Sequence, residues 1–590
     1  MSQFCQDSFT DAAGTLLESH TGETGATWTK NSAFSTGSAA ITAAGRLRGN
    51  AANGVYYESG VPASADYDVE ADFYVASNAG GAGIIGRSST TAATYYYLDY
   101  IQSTGNWSLA SLVNGSIVQS VTFAQTLTLG QIYHLHLVMR GTAILGYING
   151  VLRLQLTDSN ISAAGRAGVY FQESDTDSTG YHLDNFSGAT VASDAVTDTN
   201  LFFSPYNWKS DGAGAMQSNN VNASSTFALT NNTGAYLKFT LNAVAQGNVT
   251  VLLDTTPLNG VTAANCPTLD LTVDGQAFTT NLLAYATGTT RWLLADNLPA
   301  GNHTFEIFFK SVDLTASSSM GDRWNGSPPQ AVVKVTGFEL DGKGSATISS
   351  GTVAAKRMIW FSDSFGEGAA DLANGYVNAD NDATQAMPLL VAQGVGAEVG
   401  VVGFATQGFG KAGYGNVPML YNATDASQSW NKYYAAQGRL AAGLFAPAPD
   451  YVVVMQGTND TNFGVSDATV TTAVQSLISA WRAAAPAARI FVCVPPNGDK
   501  RSAISTGVTN AADSKTTLID LGTAPQNTLA AGGLNTNDGI HPNVRGHATF
   551  ASMLLNSMQA VLGGATSSFA ASTGNFIGGN LQLTDGGFAT

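Results

Sequence analysis

The chain has 590 residues, 44% of them hydrophobic and only 11% charged, with 25 basic against 42 acidic side chains for a net charge of −17. At about 150 residues per domain this amounts to three or four globular units with enough apolar material to fill them, which excludes global disorder. An acidic chain without basic runs repels nucleic acid and anionic lipid, so neither is expected as a partner.

An ordinary soluble domain is about 25% charged, so the polar surface here has to come from Ser, Thr, Asn, Gln and the 65 glycines. Such a surface suits β-proteins that meet sugars more often than phosphates. Cys5, Cys266 and Cys493 are too far apart for a disulfide framework or a thiolate zinc site. The opening Met1-Ser2-Gln3-Phe4-Cys5-Gln6-Asp7 has neither a basic region nor an apolar core, so no secretory signal is read there. No apolar run approaches the length of a membrane span.

Residues 1–192 read as an all-β sandwich. Polar and apolar residues alternate through Tyr67-Asp68-Val69-Glu70-Ala71-Asp72-Phe73-Tyr74-Val75 and His134-Leu135-His136-Leu137-Val138-Met139. Asn114-Gly115 and Asn149-Gly150 are hairpin turns between such runs. Trp107, Gly146-Tyr147-Ile148-Asn149-Gly150, Gly165-Arg166-Ala167-Gly168-Val169-Tyr170 and Leu183-Asp184-Asn185-Phe186 follow in an order that resembles the concanavalin-like, laminin-G-type jelly rolls. The stretch from Asp7-Ser8-Phe9 through His20 to Trp28 resembles the starts of modules in tailed-phage structural proteins. Trp107 is read as a core aromatic in preference to a sugar platform.

Residues 197–345 form a second β-unit, with alternation in Tyr236-Leu237-Lys238-Phe239-Thr240-Leu241 and His303-Thr304-Phe305-Glu306-Ile307-Phe308-Phe309. Ser204-Pro205-Tyr206-Asn207-Trp208, Val273-Asp274-Gly275 and Leu298-Pro299-Ala300-Gly301-Asn302 resemble the jelly roll that precedes the hydrolase domain of some carbohydrate acetyl esterases. Asp322-Arg323-Trp324 is read as a buried ion pair under an aromatic lid. The unit's role is therefore positional or substrate-shaping.

The grammar changes over residues 355–563. Met358-Ile359-Trp360-Phe361, Tyr451-Val452-Val453-Val454-Met455 and Ile490-Phe491-Val492-Cys493-Val494 are short, continuously apolar runs, as buried parallel strands are. Ala468–Ala485 and Gly546–Leu562 have helical periodicity. The alternation predicts a three-layer α/β domain with a parallel sheet and a ligand site beyond the carboxyl ends of its strands. The fold class is thus multidomain, two β-sandwiches followed by an α/β domain, with residues 564–590 as a Gly/Ser/Thr-rich tail. Phe576-Ile577 and Leu581-Gln582-Leu583 suit that tail to an added strand, a subunit contact or disorder.

The chemistry falls where the strands end. Ser362-Asp363-Ser364-Phe365-Gly366-Glu367 follows the first strand, Gln456-Gly457-Thr458-Asn459-Asp460 the middle one, and Asn537-Asp538-Gly539-Ile540-His541-Pro542 precedes the last helix. The three-residue spacing of Asp538 and His541 lets a carboxylate orient an imidazole base within one loop. Taken together, these blocks resemble the SGNH (GDSL-type) hydrolases over residues 357–562. The resemblance implies Ser364 as nucleophile, His541 as general base and then acid, and Asp538 as the residue that fixes its tautomer. It implies an oxyanion hole made of the Ser364 and Gly408 N–H groups and the Asn459 side chain. Ser362 stands where the family's first block has glycine, which touches the local turn and not a reacting group. Asp363 and Asp460 are read as loop-holding residues, and His547 as a capping or packing residue in the last helix.

Tyr414, Trp430 and Tyr433, with Tyr421 and Tyr434, lie among Asn and Gly in an insert over residues 411–439. Aromatic faces beside amides suit a pyranose, and a lid packed on the core would show the same residues. The expected function is a serine esterase that removes O-acetyl groups from a capsule, O-antigen or plant-type polysaccharide through an acyl-enzyme, with no metal and no cofactor. In the virion-borne form it is made in a cytosol and acts outside as a tail component or after lysis, as a homo-oligomer or in a virion assembly. The competing class is a non-catalytic glycan-binding or structural phage tail protein with a vestigial hydrolase fold. A lipase or thioesterase is a third reading.

Overall fold

In the computed structural model, the described residues are 3–563 apart from 34, 191, 211–224, 244–246, 284–288, 317–320, 327, 343–345, 423–427 and 522–533, together with 583–584 and 587–588. The chain pairs into two β-units of two antiparallel sheets each, followed by a unit built on a five-stranded parallel sheet. Most of the tail, including Phe576-Ile577, Leu581 and Gln582, lies outside the described residues.

In the first unit an eight-stranded and a seven-stranded sheet enclose one core. The alternation in Tyr67–Val75 is spent as a two-faced strand should spend it: Tyr67, Val69, Ala71, Phe73 and Val75 all point into that core. Trp107 is fully buried there, edge-on to Phe73 and Tyr100, and its indole N–H donates to Gln125 Oε1 at 2.7 Å. The outer face of the same sheet meets the second unit. There Arg140 lies 2.5 Å from Asp68 and 3.1 Å from Glu339 of the second unit, all three buried.

The seven-stranded sheet holds an unusual buried carboxyl group. Tyr96, Leu98 and Tyr100 face the core, so Asp99 shares the opposite face with Tyr95 and Tyr97. Gly83 stands across from it, where a Cβ would come within 2.5 Å of the Asp99 Cβ. The carboxyl is 1% exposed, no other residue among those described hydrogen-bonds to it, and burial pushes it up to about 8. An unfolded aspartate ionises near 4. Between about pH 4 and about pH 8, therefore, the unfolded chain releases a proton that the folded chain keeps. Stability falls across that window and levels off above it. At ~1.4 kcal/mol per unit this amounts to a few kcal/mol. Asp99→Asn is expected to flatten the pH dependence of urea-induced unfolding of this unit; an unchanged slope from pH 4 to 8 would remove Asp99 as its source.

The second unit also has two sheets around a core, of Phe239, Phe305, Phe338, Trp208 and aliphatic residues. Its edges take in residues beyond the expected 197–345. Ala192–Ala195 pairs with Val333–Gly342, and Ala346–Ser349 pairs with Tyr236–Ala243. The linkers are thus consumed as strands, because paired edges satisfy backbone groups that a free linker would leave to water.

The parallel sheet of the third unit has strands β1 (Lys356–Ser362), β2 (Ala397–Gly403), β3 (Tyr451–Met455), β4 (Arg489–Val494) and β5 (Thr516–Asp520), in the order β2-β1-β3-β4-β5. Its helices are α1 (Met387–Gly394), α2 (Thr458–Asn462), α3 (Asp467–Ala484), α4 (Arg501–Ala511) and α5 (Val544–Leu562). The apolar runs divide between two faces. Met358, Trp360, Val453, Phe491 and Cys493 pack with α1 and α5, while Ile359, Phe361, Val452, Val454 and Val492 pack with α3 and α4. That is the expected three-layer arrangement, with the turns after β1 and β3 at one end of the sheet.

The second unit closes the β2 edge. Tyr236 donates its hydroxyl to Glu398 at 2.6 Å and accepts the Val399 N–H at 3.1 Å, and Lys238 Nζ reaches Glu398 at 2.6 Å. Gly400 has no room for a side chain because a Cβ would run into the Pro205 carbonyl.

Candidate active site

Ser364 sits two residues past the end of β1, in a turn closed by Gly366 N–H to Asp363 O at 3.0 Å and Ala369 N–H to Ser364 O at 3.1 Å. Gly366 is required there, since a Cβ would lie 2.6 Å from the Ser362 Cβ. The serine at 362 is accommodated as the last residue of β1, its carbonyl accepting Gln456 Nε2 at 2.7 Å.

The loop over residues 534–543 returns to this turn just before α5. Asn537 Nδ2 donates to Ala370 O at 2.9 Å and Asp371 O at 3.1 Å, and Asn543 caps α5 by accepting the Gly546 N–H at 2.9 Å. The loop is thereby fixed against the segment that follows Ser364. Ser364 Oγ and His541 Nε2 are 2.8 Å apart, and His541 Nδ1 lies 2.6 Å from Asp538 Oδ2. Ser364 is thus brought into one line with a histidine and an aspartate from the distant C-terminal loop. Ser364 and His541 are 7% and 9% exposed, so the relay is sheltered yet reachable.

Asp538 is gathered tightly. Its Oδ1 accepts the N–H groups of Ile540 at 2.8 Å and His541 at 2.7 Å and the Thr536 hydroxyl at 3.2 Å. Its Oδ2 accepts the Tyr376 hydroxyl at 2.9 Å besides the imidazole. Burial opposes its ionisation, but the hydrogen bond and charge of His541 and the two N–H groups outweigh burial and hold the carboxyl well below the usual range. An anion there favours the Nδ1–H tautomer of His541 and leaves Nε2 free to take a proton from Ser364. The imidazole is flanked edge-on by Phe365 at 5.6 Å and Tyr376 at 5.5 Å.

The oxyanion donors are arranged differently from the expectation. The Gly408 N–H donates to Lys411 O at 2.9 Å within its own turn. The cause is Asp460, whose carboxylate collects the Phe409 N–H at 2.8 Å and the Gly410 N–H at 2.9 Å and so curls the loop. Glycine at 408 is explained by that carboxylate, which a Cβ would approach to 2.5 Å. Asn459, at the start of α2, directs its Nδ2 to Gln407 O at 3.0 Å and Asp363 Oδ2 at 3.3 Å. The Ser364 N–H has no protein acceptor among the described residues. Asp363 accepts the Phe365 N–H at 3.0 Å, and burial pushes its carboxyl up to about 7, in keeping with its reading as a turn-holding residue.

His547 is fully buried in α5 and its Nδ1 accepts the Met387 N–H at 3.3 Å; burial, with the charge of His541 adding, brings it down to about 3. It is a packing residue, as expected. Trp430 and Tyr433 are corrected. At 6% and 2% exposure they belong to the apolar core with Tyr434, Phe404 and Phe445, and present no free ring face to a sugar. The aromatic insert packs as a lid around Tyr433, whose ring lies under Arg439 of the insert and whose carbonyl accepts Asn231 Nδ2 of the second unit. Tyr414 is different. It is half-buried and packs on the second unit beside Tyr376, close to the relay.

Sequence reasoning missed Tyr376 and Glu367. Glu367, three residues past Ser364, pairs with Arg323 of the second unit at 2.6 Å, both residues fully buried. Arg323 also donates to Asn231 O at 2.6 Å and lies over the Phe404 ring. The buried ion pair read at 322–324 is therefore present, with Glu367 in place of Asp322 as the acid. No local motif marks either residue, since both are defined by contacts between units. Among the described residues, no group of three or more His, Cys, Asp or Glu side chains could hold a metal.

A strand-end serine joined through histidine to an ionised aspartate, on a parallel α/β sheet, defines a domain of the serine-hydrolase kind. Residues 363–549 match the model of the GDSL-like Lipase/Acylhydrolase family. No curated protein matches the chain. Among solved structures, the chain is similar to a family two carbohydrate esterase from Clostridium thermocellum in complex with cellohexaose, at 16% identity over 62% of this chain and 99% of that one, TM-score 0.45. It is also similar to an acetyl xylan esterase from the rumen bacterium Butyrivibrio proteoclasticus, at 13% identity over 64% and 99%, TM-score 0.47. The carbohydrate binding module CBM66 from Bacillus subtilis is similar at 20% identity over 28% of this chain and 95% of that one, TM-score 0.23.

Proposed function

We propose that the protein is a serine esterase that removes O-acetyl groups from a polysaccharide. The observation that carries this reading is the unbroken line from Ser364 Oγ through His541 to Asp538 at 2.8 and 2.6 Å. His541 Nε2 takes the Ser364 proton as Oγ attacks the acetyl carbonyl, and the imidazolium is held by the Asp538 anion. The tetrahedral oxyanion receives the Ser364 N–H and one hydrogen of the Asn459 amide, which gives up its longer contact of 3.3 Å to Asp363. His541 then protonates the departing sugar oxygen, and water, activated by the same nitrogen, releases acetate from Ser364. The line favours a catalytic role over a non-catalytic one, since it leaves His541 Nε2 placed to take the proton of a sheltered serine hydroxyl.

The substrate class is supported by the weakly charged composition and by Tyr414, which, like Tyr421, keeps a partly open face. In the virion-borne form, which rests on the resemblance of residues 7–28 to tailed-phage modules, the polysaccharide is a capsule or O-antigen. An acetate-release screen over O-acetylated bacterial polysaccharides and acetylated xylan, beside p-nitrophenyl esters of two to twelve carbons, tests the reading. Acetate release from at least one polysaccharide is expected, with ester hydrolysis falling as the acyl chain lengthens. Preference for long chains would favour a lipase, and inactivity on every ester would end the enzymatic reading.

A further inference from the structure

We propose that Tyr376 is a positioning residue that sets the orientation and basicity of the His541–Asp538 pair, and that the second β-unit holds it in place. Its kinetic arm rests on the esterase reading; its spectroscopic arm does not. Asp538 Oδ2 accepts two donors, His541 Nδ1 at 2.6 Å and the Tyr376 hydroxyl at 2.9 Å. The second donor fixes where that oxygen lies, so it also fixes the plane of the imidazole that hydrogen-bonds to it. It draws carboxylate charge away from the imidazole as well, which tempers how tightly a proton on Nε2 is kept.

Tyr376 is itself anchored across the unit boundary. Its carbonyl accepts the Leu314 N–H of the second unit at 2.7 Å and Asn381 Nδ2 at 2.9 Å, and the same Asn381 nitrogen donates to Val312 O at 3.1 Å. Asn378 adds donations to Ala264 O and Cys266 O at 2.8 Å, and its carbonyl accepts the Ser311 hydroxyl at 3.0 Å. The loop carrying Tyr376 is therefore built on the rim of the second unit. Among the described residues, the pair has Ser364 at one end, Tyr414 beside Tyr376, and the buried His547 of α5 nearby.

Tyr376→Phe removes the hydroxyl and keeps the ring against His541. In full-length protein labelled with ¹³C-histidine, the His541 ring signal, assigned by its loss in His541→Gln, reports the pair without any substrate. With the hydroxyl gone, more carboxylate charge faces the imidazole, and the titration midpoint of that signal is expected to rise by about half a pH unit. On p-nitrophenyl acetate, kcat is expected to fall about three- to tenfold, the worth of one hydrogen bond, with KM unchanged and the acid limb displaced in the same direction. A midpoint equal to that of wild type overturns the proposal, as does a change confined to KM, which would make Tyr376 a substrate contact. Tyr376→Ala separates ring from hydroxyl: if it alone loses activity while Tyr376→Phe matches wild type, packing is the whole role and the proposal fails. If wild type hydrolyses no ester, the esterase reading falls and the titration alone decides.

Discussion

Ser364→Ala is expected to lower acetate release from an acetylated polysaccharide by about six orders of magnitude, as loss of the nucleophile does in other serine-based triads. The size of the effect follows from the bond that is lost. In the proposed reaction Oγ is the atom that joins the acetyl carbon, and its proton is the one His541 Nε2 is placed to take at 2.8 Å. In the variant His541 can only activate water, so the reaction proceeds in one step without the acyl intermediate, helped by whatever oxyanion donors remain. The methyl group fills the same sheltered space, because Ser364 is already 7% exposed and makes its backbone bonds independently of Oγ. Unfolding curves should therefore superimpose on those of wild type. A variant that keeps more than about a hundredth of the rate would remove Ser364 from the reaction.

The second large effect concerns stability. Arg323→Ala leaves Glu367 buried with Thr233 Oγ1 at 3.3 Å as its nearest side-chain donor, and removes the two guanidinium bonds to Asn231 O. Breaking one partner of a fully buried pair costs about 3–5 kcal/mol, far more than the pair is worth against an apolar replacement. The loss should show as a lowered midpoint in the transition that unfolds the third unit. It should also reach the chemistry, since Glu367 lies on the turn that presents Ser364. Adding Glu367→Gln to Arg323→Ala is expected to restore much of the stability, because a neutral amide no longer demands a cation. If the single variant unfolds within 0.5 kcal/mol of wild type (roughly the error of such additivity tests), the pair does not brace the loop.

Much of this arrangement was legible in the sequence, for reasons that differ from place to place. Strands β1, β3 and β4 were visible because burial on both faces makes a strand continuously apolar. Strand β2 was not, because Glu398 and Gly400 interrupt it. Both belong to the contact with the second unit, Glu398 as the partner of Tyr236 and Lys238, and Gly400 as the space for the Pro205 carbonyl. The relay was readable because Ser364, Asp538 and His541 sit in short blocks whose spacing reflects local geometry. The oxyanion side was less so: whether the Gly408 N–H points at a ligand or at Lys411 depends on the carboxylate of Asp460, some fifty residues away. Trp430 and Tyr433 show the same limit from the other direction, since aromatic composition cannot say which face of a lid a ring occupies. Tyr376 lay in a stretch with no motif at all, and its meaning comes from the rim it is tied to.

The covered edge of β2 decides what can be cut from this chain. A parallel sheet exposed at that strand would offer unpaired backbone to any other chain, along with an orphaned Glu398 and a notch at Gly400 shaped for nothing else. The second and third units are therefore one inheritable piece: a crossover, truncation or fusion that falls between them yields a sticky fragment in place of a smaller enzyme. The first unit is joined by a strand at Ala192–Ala195 and the Arg140–Glu339 pair, and it is there that recombination could exchange one N-terminal unit for another.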